Sequence, residues 1–443
     1  MTVPAPASPP SVSPQSLQRR TMRVLVVAQL LGALGLAAGG TAGALLAEHL
    51  TGSPAAAGLP LAVLVLGSGI GAVAVTRLMD RVGRRVGLAV AHLGGALGAG
   101  VAVTAAALHD WPLLLAGCVL LGGGNAAVML ARYAAADLAS RRGRAISTVV
   151  TAASVGAVVG PNLLGPAGTP AVALGLPEPT GLFLLAIPAF LGAALVLLVF
   201  LRPDPLQVAK ATALANDTAP DSARHAPAAA SLAAGLGDRQ LRTALLVLAL
   251  TNLTMVGVMA VAPVHLHDHG AGMGMVGLMI SAHIAAMYLP SPLTGWLADT
   301  LGGRVVAAVG ALLLLGAGGV AAVAGSDRMG VMAALLLLGV GWNAGLIGGS
   351  TLLRDAPVDP SIRTRAEGLG ELGMGAAAAA GGGGAGLLLT TGGFALLGLV
   401  AAAPCLLILA VVATSSQRRT GGVADARSES INTTQPTVKA IPD

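Results

Sequence analysis

The chain has 443 residues, of which 55% are hydrophobic and only 10% charged, with a mean hydropathy of +0.82. A water-soluble domain carries about a quarter charged residues, so a soluble enzyme is excluded; the 63 glycines follow no G-x-y period, which excludes collagen. The net charge of +6 and pI near 10.3 are read as arginines gathered in loops, not as a nucleic-acid surface.

A membrane helix needs roughly 20 apolar residues, whereas a β-barrel shows ~10-residue segments of alternating polarity, and no such alternation is present. The expected fold is an all-α integral membrane protein with twelve transmembrane helices. Residues 1–18 are Pro/Ser/Ala-rich without the apolar core of a signal peptide, and 1–21 is expected to be a disordered cytoplasmic tail. Apolar runs then predict spans at 22–46, 57–78, 87–107, 112–137, 145–167 and 180–201. Residues 202–240, with prolines and scattered charge, read as a mobile linker. Six further spans are predicted at 241–263, 273–297, 304–325, 329–351, 366–390 and 392–414, followed by a disordered tail over 415–443. The halves 22–201 and 241–414 are thus two six-helix bundles.

Orientation follows from the basic residues. With both termini cytoplasmic, 24 of the 25 Lys and Arg residues fall in inner segments, and only Arg328 lies outside. Cys118 and Cys405 sit inside apolar spans and are not placed for a disulfide.

The halves echo one another. The turn after span 2, Arg77-Leu78-Met79-Asp80-Arg81-Val82-Gly83-Arg84-Arg85, and the turn after span 8, ending Leu297-Ala298-Asp299-Thr300-Leu301-Gly302-Gly303-Arg304, share x-L-x-D-x-x-G-x-R at an offset of 219. Asn125 and Asp137 recur as Asn343 and Asp355 at an offset of 218. Agreement of the two registers argues for a duplicated six-helix unit, the construction of many secondary transporters.

On these residues the chain resembles the major facilitator superfamily, whose G-x-L-A-D-R-x-G-R-[RK] turn is matched from Gly295 onward; Thr76 stands where the first turn usually has glycine. Phrases such as RLMDRVGRR, GPNLLGP and GWNAGLIGGSTLLR look like a bacterial permease subgroup whose relatives are proposed vitamin-uptake or efflux carriers. The resemblance spans roughly residues 22–414 and implies a cytoplasmic latch at the two turns, made and broken as the cavity changes side.

The residues suit such a device. Gly83 and Gly302 supply backbone freedom in a short reversal, and Asp80 and Asp299 are placed to accept hydrogen bonds from arginines or a helix N-terminus. Arg81 and Arg304 are the expected partners of Asp137 and Asp355, with Arg84 completing the turn. Arg132, about a turn and a half before Asp137, either snorkels to the interface or faces a cavity. In span 5, Gly156, Gly160, Pro161 and Gly165 resemble the antiporter signature G-x-x-x-G-P-x-x-G-G, with Leu164 and the upstream Ser147 as departures; close packing at the glycines and a kink at the proline are expected.

Candidates for proton coupling are His92, His283, Glu367, Glu371 and, at the outer end of span 1, Glu48. Gln29, Asn125, Asn252, Tyr288, Trp342 and Asn343 are candidates for the cavity, with interhelical hydrogen bonding as their alternative role. The run His265, His267, Asp268 and His269 reads as a solvated loop, not a metal site. There is no P-loop, H-E-x-x-H or G-x-S-x-G, so neither enzymatic activity nor a cofactor is expected.

The expected function is secondary transport of a small molecule by alternating access, driven by protons across the cell membrane, by a monomer embedded in lipid. Export is the first direction and uptake of a vitamin-like nutrient the second. A non-transporting sensor or scaffold is the third reading; it predicts that Asn125, Arg132 and Asn343 face packed helices and that no central cavity exists.

Overall fold

The computed structural model describes residues 14–53, 56, 58–216, 232–270 and 273–414, and among them there is no strand. The expected tail residues 1–13 and 415–443 and the linker residues 217–231 lie outside the described residues.

The first half opens with α1 (Pro14–Ala37), a π-helical turn (Ala38–Ala42) and α2 (Gly43–Thr51), which together form span 1. Then come α3 (Leu59–Val82), α4 (Arg84–Leu108), α5 (Trp111–Ala136), the pair α6 (Arg142–Asn162) and α7 (Leu164–Ala173), and α8 (Thr180–Phe200). The connection carries α9 (Pro205–Asn216) and α10 (Leu232–Gly235). The second half comprises α11 (Arg239–Asp268), the pair α12 (Met273–Tyr288) and α13 (Ser291–Leu301), α14 (Gly303–Ala324), α15 (Arg328–Arg354), α16 (Pro360–Val400) and α17 (Ala402–Thr414). Two expectations are corrected. Residues 14–21 of the supposed tail are helical, and so is the linker from Pro205 to Asn216.

Eight helical stretches among the described residues are each long and apolar enough to cross a membrane. Of the other four, three are interrupted. Span 1 contains the π turn over Ala-Gly-Gly-Thr-Ala, and span 5 breaks at Leu163. Span 8 breaks at Leu289–Pro290; span 11 is an unbroken Gly/Ala-rich part of α16, and the non-helical Gly393 at φ 67° marks the kink just beyond it, where span 12 begins. These are places where glycine or proline weakens the ladder.

Within the first half α4 packs on α5 and α8, and α1 packs on α6 and α8; in the second half α14 packs on α15, and α11 on α15 and α16. Glycine permits backbone-to-backbone approach in both, at Gly98 against Gly117 and at Gly310 against Gly345. The halves meet along two seams, α3 with α16 and α6 with α12 and α13. These are spans 2 with 11 and 8 with 5, which the 219-residue repeat interchanges. Leu97, Leu195, Leu293, Leu312 and Leu406 point outward, each more than half exposed. Lipid chains are as apolar as leucine, so such a surface needs no polar cover in a bilayer.

Candidate functional site

Both short turns use the same backbone device. Gly83 (φ 93°, ψ 174°) ends α3 and Gly302 (φ 85°, ψ 151°) ends α13, in a region that L side chains avoid. The duplicated sequence thus produces a duplicated conformation. The aspartates before these glycines are used differently. Asp299 accepts from the backbone N–H groups of Gly143 (2.7 Å) and Arg144 (3.1 Å), at the N-terminus of α6, where a helix favours negative charge. Asp80 instead accepts from Arg365 Nε on α16 at 2.9 Å. Both contacts join one half to the other.

The arginine-rich end is closed by a ring of four buried charges. Arg84 Nε lies 2.9 Å from Asp137 and its Nη1 2.6 Å from Glu367; Arg354 Nη2 lies 2.8 Å from Asp137 and its Nη1 2.7 Å from Glu367. Cations and anions alternate, the net charge is zero, and each half supplies one of each. Asp137 lies just past the end of α5. Burial alone would raise its carboxyl, but the guanidinium groups of Arg84 and Arg354 hold it below the usual carboxylate range.

This ring corrects the expected pairing. Neither Arg81 nor Arg304 is a partner of the two aspartates: Asp137 is bound by Arg84 and Arg354, and Asp355 pairs with Arg142 at the surface. Arg304 keeps a buried Nε without a hydrogen-bond partner among the described residues. Sequence reasoning assigned Arg354 only to topology, and it missed Asp204, which accepts from Arg85 N (2.7 Å) and Leu206 N (3.0 Å) and so ties the connection to α4.

Towards the middle of the molecule, Arg132 is fully buried rather than snorkelling. Its Nη2 donates to Glu371 Oε1 at 2.6 Å and to Tyr133 Oη at 3.1 Å, and its Nε donates to Ser350 Oγ at 2.9 Å. Ser350 stands 218 residues beyond Arg132, so the repeat places these two positions face to face.

Glu371 forms part of the wall of a cavity of about 220 Å³ between the halves, together with Asn125, Asn252, Tyr288, Trp342 and Met374. Asn252 Oδ1 accepts from Trp342 Nε1 at 3.0 Å, while its amide donates to Met374 O at 2.8 Å. Tyr288 and Trp342 meet edge to face, with centroids 6.0 Å apart. Asn125 donates to Ser68 Oγ at 2.9 Å.

Other candidates lie elsewhere. Asn343 is buried in the second bundle, donating to Met287 O (2.7 Å) and Ser291 Oγ (2.6 Å) beside the Pro290 break. Its repeat-mate Asn125 makes the same asparagine-to-serine bond in the first bundle. Gln29 donates to Val128 O at 3.1 Å and borders a small void beneath the cavity, beside Arg132. His92 is buried against Gly32 and Phe190, and His283 bonds Leu335 O at 2.7 Å; neither lines the cavity. Glu367 belongs to the closing ring. In span 5, Gly156 packs against the α1 backbone at Ala33, and the helix runs through Gly160 and Pro161 before breaking at Leu163, ahead of Gly165. Of the outer histidines, His265 is buried, bonded to Gly325 O and stacked on Phe394, so the solvated-loop expectation is corrected there. The side chains of His267 and Asp268 lie outside the described residues.

A twelve-helix membrane protein built as two repeated bundles around a cavity, with ion pairs joining them at one end, has the architecture of a solute transporter. The chain belongs to the Major Facilitator Superfamily, whose profile it matches over residues 25–264 and 244–439. It is 39% identical over 355 residues to YddS of Bacillus subtilis strain 168, an uncharacterised MFS-type transporter, covering 80% of each chain. It is 28% identical over 364 residues to the riboflavin transporter RfnT of Brucella anthropi, covering 80% of this chain and 85% of that one. The human organic anion transporter MFSD10 has the same fold, with a TM-score of 0.70 and 17% identity over 91% of this chain and all of that one.

Proposed function

We propose that this chain is a proton-coupled secondary transporter of small organic solutes that works by alternating access in the cell membrane, as a monomer with its arginine-rich end and both termini in the cytoplasm. The bundles 22–201 and 241–414 rock about the cavity. The ring of Arg84, Asp137, Arg354 and Glu367, with the Asp80 and Asp299 contacts, latches the cytoplasmic side; its ions rehydrate when that side opens.

The observation that carries the coupling is the Arg132–Glu371 ion pair, which joins the halves at the cavity wall. Among the five sequence candidates for the proton carrier, only Glu371 borders the cavity. Protonating it breaks an inter-half bond next to the solute, which links proton and solute movement. This linkage favours symport, hence uptake, and the kinship with a riboflavin transporter supports a vitamin-like cargo. Export rests on the glycine–proline motif of span 5 and is the second reading.

The test is flux in proteoliposomes under an imposed pH gradient, with a panel of vitamins and dyes that includes neutral, anionic and cationic members. Symport predicts accumulation on the alkaline side, abolished by Glu371→Gln. Accumulation on the acid side would favour export, and saturable flux indifferent to the gradient would sink proton coupling.

A further inference from the structure

The cavity is electrostatically lopsided, and this constrains what it carries. Arg132 is held by Ser350 and Tyr133 as well as by Glu371, whereas Glu371 has Arg132 as its hydrogen-bond partner. The other groups around the pair add no charge. Tyr133 on α5 and Tyr288 on α12 are neutral phenols. Asn252 on α11, Ser68 on α3 and Ser350 on α15 do not ionise. Glu367, one turn away on α16, and Arg354 on α15 are neutralised within the closing ring. Arg77 and Asp80 lie further along α3 towards that end, and His92 and His283 turn to other neighbours.

The guanidinium does not lose its proton in a protein. With Glu371 ionised the site has net charge zero; with Glu371 protonated it has net charge plus one. It never becomes negative. An unpaired guanidinium buried at this depth is strongly unfavourable unless another anion replaces the lost partner. A proton without an anion is therefore rejected, and an anion without a proton meets the Glu371 carboxylate.

We infer that the cargo is an organic anion, a carboxylate or its chemical equivalent on an apolar or aromatic body, taken up together with one proton. This rests on the symport reading above. The proton binds the Glu371 carboxylate and the Arg132 Nη2–H···Glu371 bond breaks. An oxygen of the cargo then accepts from that Nη2. Release on the other side reverses both steps, and a monoanion moves with no net charge.

The charge of the cavity can be read without knowing the cargo. In the full chain carrying Trp111→Phe and Trp296→Phe, Trp342 is the remaining tryptophan and borders the cavity. Its fluorescence is quenched with iodide, neutral acrylamide and caesium ion, in the otherwise native protein at neutral and acid pH and in the Glu371→Gln variant. The inference predicts a several-fold rise in quenching by iodide relative to acrylamide on acidification and in Glu371→Gln, reversed by adding Arg132→Gln. An unchanged ratio in both comparisons, or a rise for caesium, overturns it.

Proteoliposome uptake of naphthoate, naphthamide and naphthylmethylamine separates the two readings. Gradient-driven uptake of the amide or amine but not the carboxylate leaves proton coupling standing and overturns the anion. Iodide enrichment at Trp342 with no gradient-driven flux supports the anion site and overturns symport.

Discussion

Thr76 on α3 lies directly against Gly368 on α16, so closely that a methyl group on Gly368 would collide with the threonine hydroxyl. On the other seam the sizes are exchanged: Gly295, the repeat-mate of Thr76, lies against Ser147 on α6. Two apparent departures from family motifs, Thr76 and Ser147, thus each face a glycine. Each seam carries one hydroxyl residue and one glycine, which keeps the helices at close range.

Gly368→Ala should overpack the α3–α16 seam and destabilise the protein by about 1–3 kcal/mol. Adding Thr76→Gly should return most of that loss. Thermal melting of the purified variants checks this, and a double variant no more stable than Gly368→Ala would refute the proposed complementarity.

Removing one member of the closing ring leaves a buried charge without its counter-charge. Glu367→Gln should cost about 3–5 kcal/mol of the closed state, whereas Asp355→Asn at the exposed Arg142 pair should cost roughly 1 kcal/mol or less. Melting measures the stability difference. Thiol labelling of Ser68→Cys, in the cavity wall, from the arginine-rich side should accelerate only with Glu367→Gln.

Asp299 caps α6 across the seam. Asp299→Ala should lose about 1 kcal/mol, and Asp299→Asn, which keeps an acceptor, should lose less. Equal melting temperatures for the two variants would count against a capping role.

Asp137 sets a pH dependence of defined sign. Its carboxyl is held below its unfolded value by Arg84 and Arg354, so its contribution to stability is complete above about pH 4 and is lost as the pH falls through the lower folded value. Stability from this group should be level between about pH 8 and about pH 5 and fall in stronger acid. Asp137→Asn should flatten that acid limb. A loss near neutrality removed by the same substitution would reverse the sign.

The repeat was legible because duplication leaves its trace in sequence: Asp80 and Asp299, Gly83 and Gly302, and Asn125 and Asn343 stand in register. So was most of the polar lining of the cavity, since Asn125, Asn252, Tyr288, Trp342 and Glu371 are polar or amphipathic groups in apolar runs, which a bilayer tolerates only with a partner or a cavity. Sequence did not distinguish those two outcomes. Asn343 and His283 found partners on neighbouring helices, while Asn125, the repeat-mate of Asn343, borders the cavity. The ring partners were hidden for another reason. Arg84 and Glu367 are 283 residues apart, and Arg81 closes α3 whereas Arg84 opens α4 on the other side of the Gly83 reversal. Which arginine reaches the aspartate depends on how helices from different halves cross.

Composition and periodicity by themselves settle that this chain lives in a membrane as repeated apolar helices, because hydrophobic length and charge scarcity are additive properties of a linear chain. Only the folded molecule decides which charges meet. The pairing of Arg132 with Glu371, and of the four ions that close one end, arises from contacts across two seams between halves, where a displacement of a few ångströms makes or removes an ion pair.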